Sequence, residues 1–221
     1  MKNILLLACA ISFLSSTNLN AQVDPEFSAY FENYEILTNP ESTVINTIEG
    51  SPYHHDEFKT GSILLSDGKE FKDLLLRFNV FKNQIEMKSE KGIFVIQNIE
   101  SLSSISIESQ TLRFFPSNKI YLEKAIEGRL SLYIKYNITY KPPLSAGPYQ
   151  KESKPRYISQ KPVYLIGLNN NRPIEIHSEK DLRSSFKDLE TIIDEYSGKK
   201  KLKLKKVEDY INLLNYINKG Q

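Results

Sequence analysis

The sequence predicts an α+β fold: an antiparallel β meander, able to curl toward a partial barrel, followed by a C-terminal two-helix hairpin. Three observations carry this. Leu130, Leu132, Ile134, Tyr136, Ile138 and Tyr140 alternate strictly with Ser131, Tyr133, Lys135, Asn137, Thr139 and Lys141. Successive side chains on a strand point to opposite faces, so this stretch reads as one long strand with one buried face. Short apolar runs joined by tight-turn residues precede it, which is the pattern of hairpin-connected neighbours. After Ser178 the apolar spacing changes from two to three or four, the period of a helix face.

Composition sets the outer bounds. The chain has 221 residues, 40% of them apolar and 25% charged. That is too apolar for a disordered chain and ordinary for a folded one. The formal net charge of +2 argues against a dedicated nucleic-acid binder. A single cysteine, Cys9, excludes a disulfide framework and any zinc site built from several thiolates.

Residues 1–21 read as a secretory signal. Lys2 opens it, an apolar stretch runs from Ile4 to Leu14, and a polar run leads to Ala21. The stretch is far shorter than the roughly 20 residues a membrane-spanning helix needs. Cleavage after Ala21 removes Lys2 and Cys9, leaving a cysteine-free chain of net charge +1. Leu6-Leu7-Ala8-Cys9 has the form of a lipoprotein box, but the apolar run before it is too short for that use. The expected location is therefore secreted, periplasmic or outer-envelope.

Residues 22–42 form an N-terminal arm. Phe27, Tyr30, Phe31 and Tyr34 fit either one short amphipathic helix or an extended segment docking its rings. Residues 43–177 form the β-rich domain. Leu74, Leu76, Phe78 and Val80 alternate with Leu75, Arg77, Asn79 and Phe81. Shorter strands are expected at 44–48, 61–65, 84–88, 93–99, 104–107, 111–115 and 120–122. Asp67-Gly68 supplies the positive φ of a tight hairpin turn, with Lys82-Asn83 and Glu90-Lys91-Gly92 as weaker versions. Residues 142–162 hold five of the ten prolines and predict a long exposed loop, loosely docked or mobile. Strands at 163–168 and 173–176 flank Asn169-Asn170-Asn171. Residues 178–221 form the helical hairpin. Ser178 to Asp181 reads as a capping box, and Leu182, Phe186, Leu189, Ile193 and Tyr196 as one apolar face. Gly198 suits a C-cap. A second helix over 206–218 turns Val207, Ile211, Leu214 and Ile217 inward. Whether the hairpin covers the sheet or stands apart stays open.

No catalytic motif is found: no G-x-S-x-G, no phosphate-binding glycine loop and no H-E-x-x-H. No cofactor is expected. His54-His55-Asp56-Glu57 holds potential metal ligands, but adjacent strand residues point apart, and an exposed polar loop is the simpler reading. Arg77 faces either an ion-pair partner, with Glu86 on the next strand as candidate, or a ligand. Lys199 to Lys206 carries six lysines in eight residues and can engage an anionic surface. Acids flank it on both sides, and Leu202 and Leu204 fit inward positions of an extended connector. Asn137-Ile138-Thr139 is a glycosylation sequon placed inside the long strand.

Gly50-Ser51-Pro52-Tyr53, Asp56-Glu57-Phe58, Gly61, Leu76-Arg77-Phe78-Asn79, Gln84-Ile85-Glu86-Met87 and the C-terminal helices near Asn215-Tyr216 resemble a group of secreted Bacteroidota proteins without assigned function. The resemblance implies an envelope or extracellular location and supplies no catalytic residue. The leading expectation is a non-enzymatic binding or structural module, partnered by another envelope protein or an anionic surface. The alternative is a small-ligand binder using a concave sheet face with Arg77, Asn79 and Tyr133 at the site. A hydrolase working through Glu86 and Glu108, and an outer-membrane barrel, are the remaining readings.

Overall fold

Thirteen strands and three α-helices follow one another in the computed structural model, which describes residues 35–36, 48–96, 102–147, 151–169, 171–199 and 202–219. The expected signal, the aromatic patch of the N-terminal arm and most of the expected strand at 44–48 lie outside these residues. The strands are β1 (Glu35–Ile36), β2 (Lys59–Leu65), β3 (Glu70–Asn79), β4 (Gln84–Ser89), β5 (Gly92–Ile96), β6 (Leu102–Ile107), β7 (Gln110–Phe115), β8 (Ile120–Ile126), β9 (Leu130–Lys135), β10 (Ile138–Lys141), β11 (Arg156–Ser159), β12 (Val163–Leu168) and β13 (Ile174–Glu175). Eleven form one open antiparallel sheet in the order β1-β5-β4-β3-β2-β6-β7-β8-β9-β12-β13, while β10 and β11 pair apart from it. The α+β meander is therefore present and is not a closed barrel. Its turns use the expected chemistry: φ is +89° at Gly68, +53° at Asn83 and +131° at Gly92.

The sheet wraps around its own apolar face. Ile63 on β2, Leu76 on β3, Ile85 on β4, Ile105 on β6 and Leu112 on β7 are fully buried members of one core cluster. Phe78 of β3 and Tyr121 of β8 stand four strands apart in the sheet order, yet their ring centres are 6.3 Å apart, so the sheet curls over this face.

The expected long strand over 130–141 is divided. β9 stops at Lys135, and β10 starts at Ile138 and pairs with β11. The cause lies on the neighbouring strand. β12 begins at Val163, opposite Lys135, and the preceding Pro162 has no N–H to extend the ladder. Beyond Lys135 the chain turns instead to residues 156–159. The expected proline loop therefore contains a strand. β11 fits between Pro155 and Pro162, where every residue still has its backbone donor.

The C-terminal helices cover the other end of the sheet. They are α1 (Glu179–Ser185), α2 (Glu190–Lys199), preceded by a 3-10 turn over Lys187–Leu189, and α3 (Val207–Lys219). Ser178 caps α1 by accepting from Asp181 N at 3.1 Å, and Asp181 reaches back to His177 N at 3.1 Å. The expected single helix between the Ser178 cap and Gly198 is interrupted at Phe186, whose φ of −129° and ψ of 60° are not helical. Its apolar face survives the break: Leu182, Phe186, Leu189, Ile193 and Tyr196 are all buried. Gly198 lies inside α2 rather than beyond its end. These residues pack with Leu130 and Leu132 of β9, Ile166 of β12, and Leu213, Leu214 and Ile217 of α3. The hairpin is thus part of the body. Leu202 and Leu204 of the lysine connector also pack here, while Lys203, Lys205 and Lys206 stay exposed.

A side-chain amide anchors α3. Asn218 Oδ1 accepts from Leu130 N at 3.0 Å, and Asn218 Nδ2 donates to Leu130 O at 2.9 Å. It satisfies both backbone groups of Leu130, as a neighbouring strand would. Asn218→Leu strands that donor and acceptor together, so we expect a loss of about 1–3 kcal/mol in chemical denaturation.

Candidate functional site

The polar residues singled out in the sequence meet at one place, where segment 51–58 crosses the end of β3. Antiparallel register puts Arg77 opposite Glu86. Arg77 Nε and Nη2 donate to Glu86 Oε2 at 3.2 and 2.6 Å. Asn79 Nδ2 donates to Glu86 Oε1 at 3.1 Å, so both carboxylate oxygens are engaged. The side chain of Glu86 is 3% exposed and that of Arg77 14%. The ion pair expected from the sequence is present.

Segment 51–58 completes the enclosure. Tyr53 bridges Asn79, His54 N donates to Phe78 O at 3.0 Å, and Arg77 Nη1 donates to Asp56 O at 2.9 Å. The guanidinium carbon sits 3.6 Å from the Tyr53 ring centre and 4.2 Å from that of Phe58. A cation held between two aromatic faces and a buried carboxylate is strongly fixed. Ser51 Oγ donates to Asp56 Oδ1 and accepts from Tyr53 N at 3.1 Å, which shapes the segment locally. The partners Tyr53 and Phe58 were not legible as such. They stand 24 and 19 positions before Arg77, with no periodicity linking them.

The same segment carries the histidines. It is bent rather than extended, so the rings do not point apart as a strand would place them. Their centres are 4.5 Å apart, and that of His54 is 4.4 Å from Tyr136. Tyr136 Oη and Gln110 Nε2 both donate to Glu123 Oε2 at 2.6 Å. A cavity of about 10 Å³ lies beneath, lined in part by His54, His55, Arg77 and Gln110. That is room for about one water. Among the described residues, no group of three or more His, Cys, Asp or Glu side chains converges as a metal site.

Burial holds the pKa of His54 below the ordinary imidazole value; His55 adds to this, while Glu123 pulls the other way. The folded state therefore binds fewer protons at His54 than the unfolded chain. Its contribution to stability is complete well above the ordinary pKa of about 6.5 and declines as pH falls through that value. We expect the apparent melting temperature to fall on acidification from neutral pH, and the decline to be shallower in His54→Gln. Parallel acid slopes in the two proteins would contradict this.

The third expected site residue is elsewhere. Tyr133 is 1% exposed, packed with Leu122 and Leu165, and its hydroxyl accepts from Arg113 Nη1 at 3.1 Å. It was expected on an exposed sheet face. β9 is covered on both faces, by the helices on one side and this small cluster on the other, so its alternation does not mark an outside. Glu108 sits in the β6–β7 turn beside Lys59 at 3.6 Å, whereas Glu86 is held by Arg77 and Asn79.

Against protein-family models, curated proteins and solved structures, the chain finds no match.

What the geometry does chemically is to hold. Arg77, Glu86 and Asn79 spend their polar atoms on one another, on segment 51–58 and on the β3–β4 turn, where Asn79 Oδ1 accepts from Lys82 N at 2.9 Å. Glu49, just before segment 51–58, ties down the β10–β11 arm. Glu49 N donates to Pro155 O at 2.9 Å, and Tyr157 N donates to Glu49 O at 2.8 Å.

Proposed function

We propose that this protein is a non-enzymatic binding module of the cell envelope or exterior, working from its surface rather than from a cleft. The observation that carries this reading is the closed Arg77–Glu86–Asn79 cluster. The polar groups best suited to chemistry are enclosed and mutually satisfied, which favours a framework role. Fully buried Ile63, Leu76, Ile85, Ile105 and Leu112 fill the inner face of the sheet. A small ligand would have to displace them, which weighs against the concave-face alternative. The charged start at Lys2, the apolar Ile4–Leu14 stretch and Ala21 support export.

The test uses residues 22–221, immobilised and exposed to a solubilised envelope fraction, with a parallel screen of ester, glycoside and peptide substrates. Saturable retention of an envelope component without turnover is expected. Turnover abolished by Glu86→Gln in a protein that still folds would overturn the reading.

A further inference from the structure

We propose that the β10–β11 arm and the adjoining β3–β4 turn form a stacking platform for an acidic polysaccharide. This rests on the binding-module reading and names the partner and the surface.

The first observation is an exposed aromatic cluster. Tyr140 and Tyr157 are direct cross-strand partners, with ring centres 5.4 Å apart. Phe81, from the turn after β3, packs 5.2 Å from Tyr157 and 6.5 Å from Tyr140. Phe81 remains 42% exposed and Tyr140 40%. Large apolar side chains gathered at a surface mark contact sites, whereas scattered ones do not. The platform is also well supported. Tyr157 is bonded to Glu49, and Tyr53 and His54 tie the same segment to β3. The rings are therefore positioned in advance, which lowers the entropy cost of binding.

Charge supplies the second observation. Each ring has a cation as its chain neighbour: Lys82 beside Phe81, Lys141 beside Tyr140 and Arg156 beside Tyr157, all three exposed. Residues 138–161 carry five cations and one acid, Glu152, and Glu49, the bridge partner of Arg156, adds a second acid. Antiparallel register pairs Lys141 with Arg156 on the face opposite the Tyr140–Tyr157 pair. The ribbon is a single backbone layer thick, so their charge still raises the potential at the aromatic face, over a distance comparable to the Debye length of about 8–10 Å. The matching ligand presents apolar ring faces and regularly spaced negative charge. Sugar rings with carboxylate or sulfate substituents have both. Their C–H faces suit the electron-rich faces of Tyr and Phe.

Two other anionic partners fit less well. Insertion into a lipid surface needs apolar groups that reach about 5–10 Å into the headgroup region. Phe81 and Tyr140 are less than half exposed and packed against each other. A peptide adding beside β11 would need its outer edge, where Glu49 already pairs with the strand at Arg156 and Tyr157.

The test is electrophoresis of residues 22–221 through native gels containing polygalacturonate, or the neutral hydroxyethylcellulose, at low and high salt. Retardation is expected in polygalacturonate alone and should diminish with salt. Phe81→Ala combined with Tyr140→Ala should weaken it at least about tenfold, the value of one stacking contact. Lys141→Glu with Arg156→Glu should do the same, and Tyr140→Phe, which keeps the ring, should retain binding. Thermal melts confirm that each variant is folded. Absence of retardation overturns the inference, as does retardation indifferent to the aromatic pair. Flotation with anionic phosphatidylglycerol vesicles, lost in the same variants without polysaccharide binding, would assign the surface to lipid and also overturn it. If the arm variants retain the envelope component as the unaltered chain does, the inference fails while the binding-module reading stands.

Discussion

Arg77→Met should destabilise the protein by about 3–5 kcal/mol, the cost of leaving a buried charge without its partner. Glu86 is 2% exposed overall, and its remaining described side-chain donor would be Asn79. The variant also removes the cation between Tyr53 and Phe58 and the bond to Asp56 O. Segment 51–58 should therefore loosen first. Amide exchange would register early loss of protection at His54, whose N–H bonds Phe78 O. The informative companion is Arg77→Met with Glu86→Leu. Replacing both charges removes the stranded carboxylate, so the double variant should recover a large part of the lost stability. Urea unfolding of the three proteins checks this. A double variant as unstable as the sum of the single ones would mean that the pair contributes through something other than mutual charge compensation.

Leu213→Ala should cost about 2–5 kcal/mol, while Ile211→Ala should cost clearly less. The order is opposite to the sequence expectation, which placed Ile211 on the inner face of α3 and did not select Leu213. Leu213 is 0% exposed, as are Leu214 and Ile217, whereas Ile211 is only partly buried. The helix is rotated toward Tyr210, whose hydroxyl donates to Ile176 O at 2.8 Å. Burial, with smaller effects from Tyr164 and nearby acids, pushes that phenol up to about 12, so it remains a donor across the neutral range. Tyr210→Phe would leave Ile176 O without this donor. Thermal denaturation of the Leu213 and Ile211 variants, compared in the same buffer, decides the order. Equal losses would show that the α3 face is not oriented as described.

Much of the β framework was legible because hairpins are local. Val163–Leu168 matches its expected bounds, and β4 and β7 differ by a residue at one end. Gly68, Asn83 and Gly92 announced their turns because positive φ is a residue-level preference. Arg77 and Glu86 were legible as a pair for the same reason, since the Lys82-Asn83 turn between them fixes the register. The errors share a cause as well. Residues 130–141 alternate throughout, yet the strand divides after Lys135 because Pro162 ends the partner strand opposite. Tyr133 resembles an outward residue by alternation, but its covering side chains come from β8 and β12. β11 was obscured by prolines, which mark where a ladder stops but do not forbid four paired residues between them.

The sequence by itself determined the α+β class, the antiparallel order of hairpins, the capped start of α1 and the Arg77–Glu86 partnership. Each follows from residues close in the chain, where backbone preference and side-chain period act directly. Packing in three dimensions decided the rest: the curl of the sheet over its own core, the docking of α3 through Asn218, the enclosure of Arg77 by Tyr53 and Phe58, and the meeting of Phe81 with Tyr140 and Tyr157. Asn218 and Leu130 are 88 positions apart, and nothing at either position names the other. Contacts of that kind arise when distant apolar faces are buried together, and their geometry belongs to the folded whole.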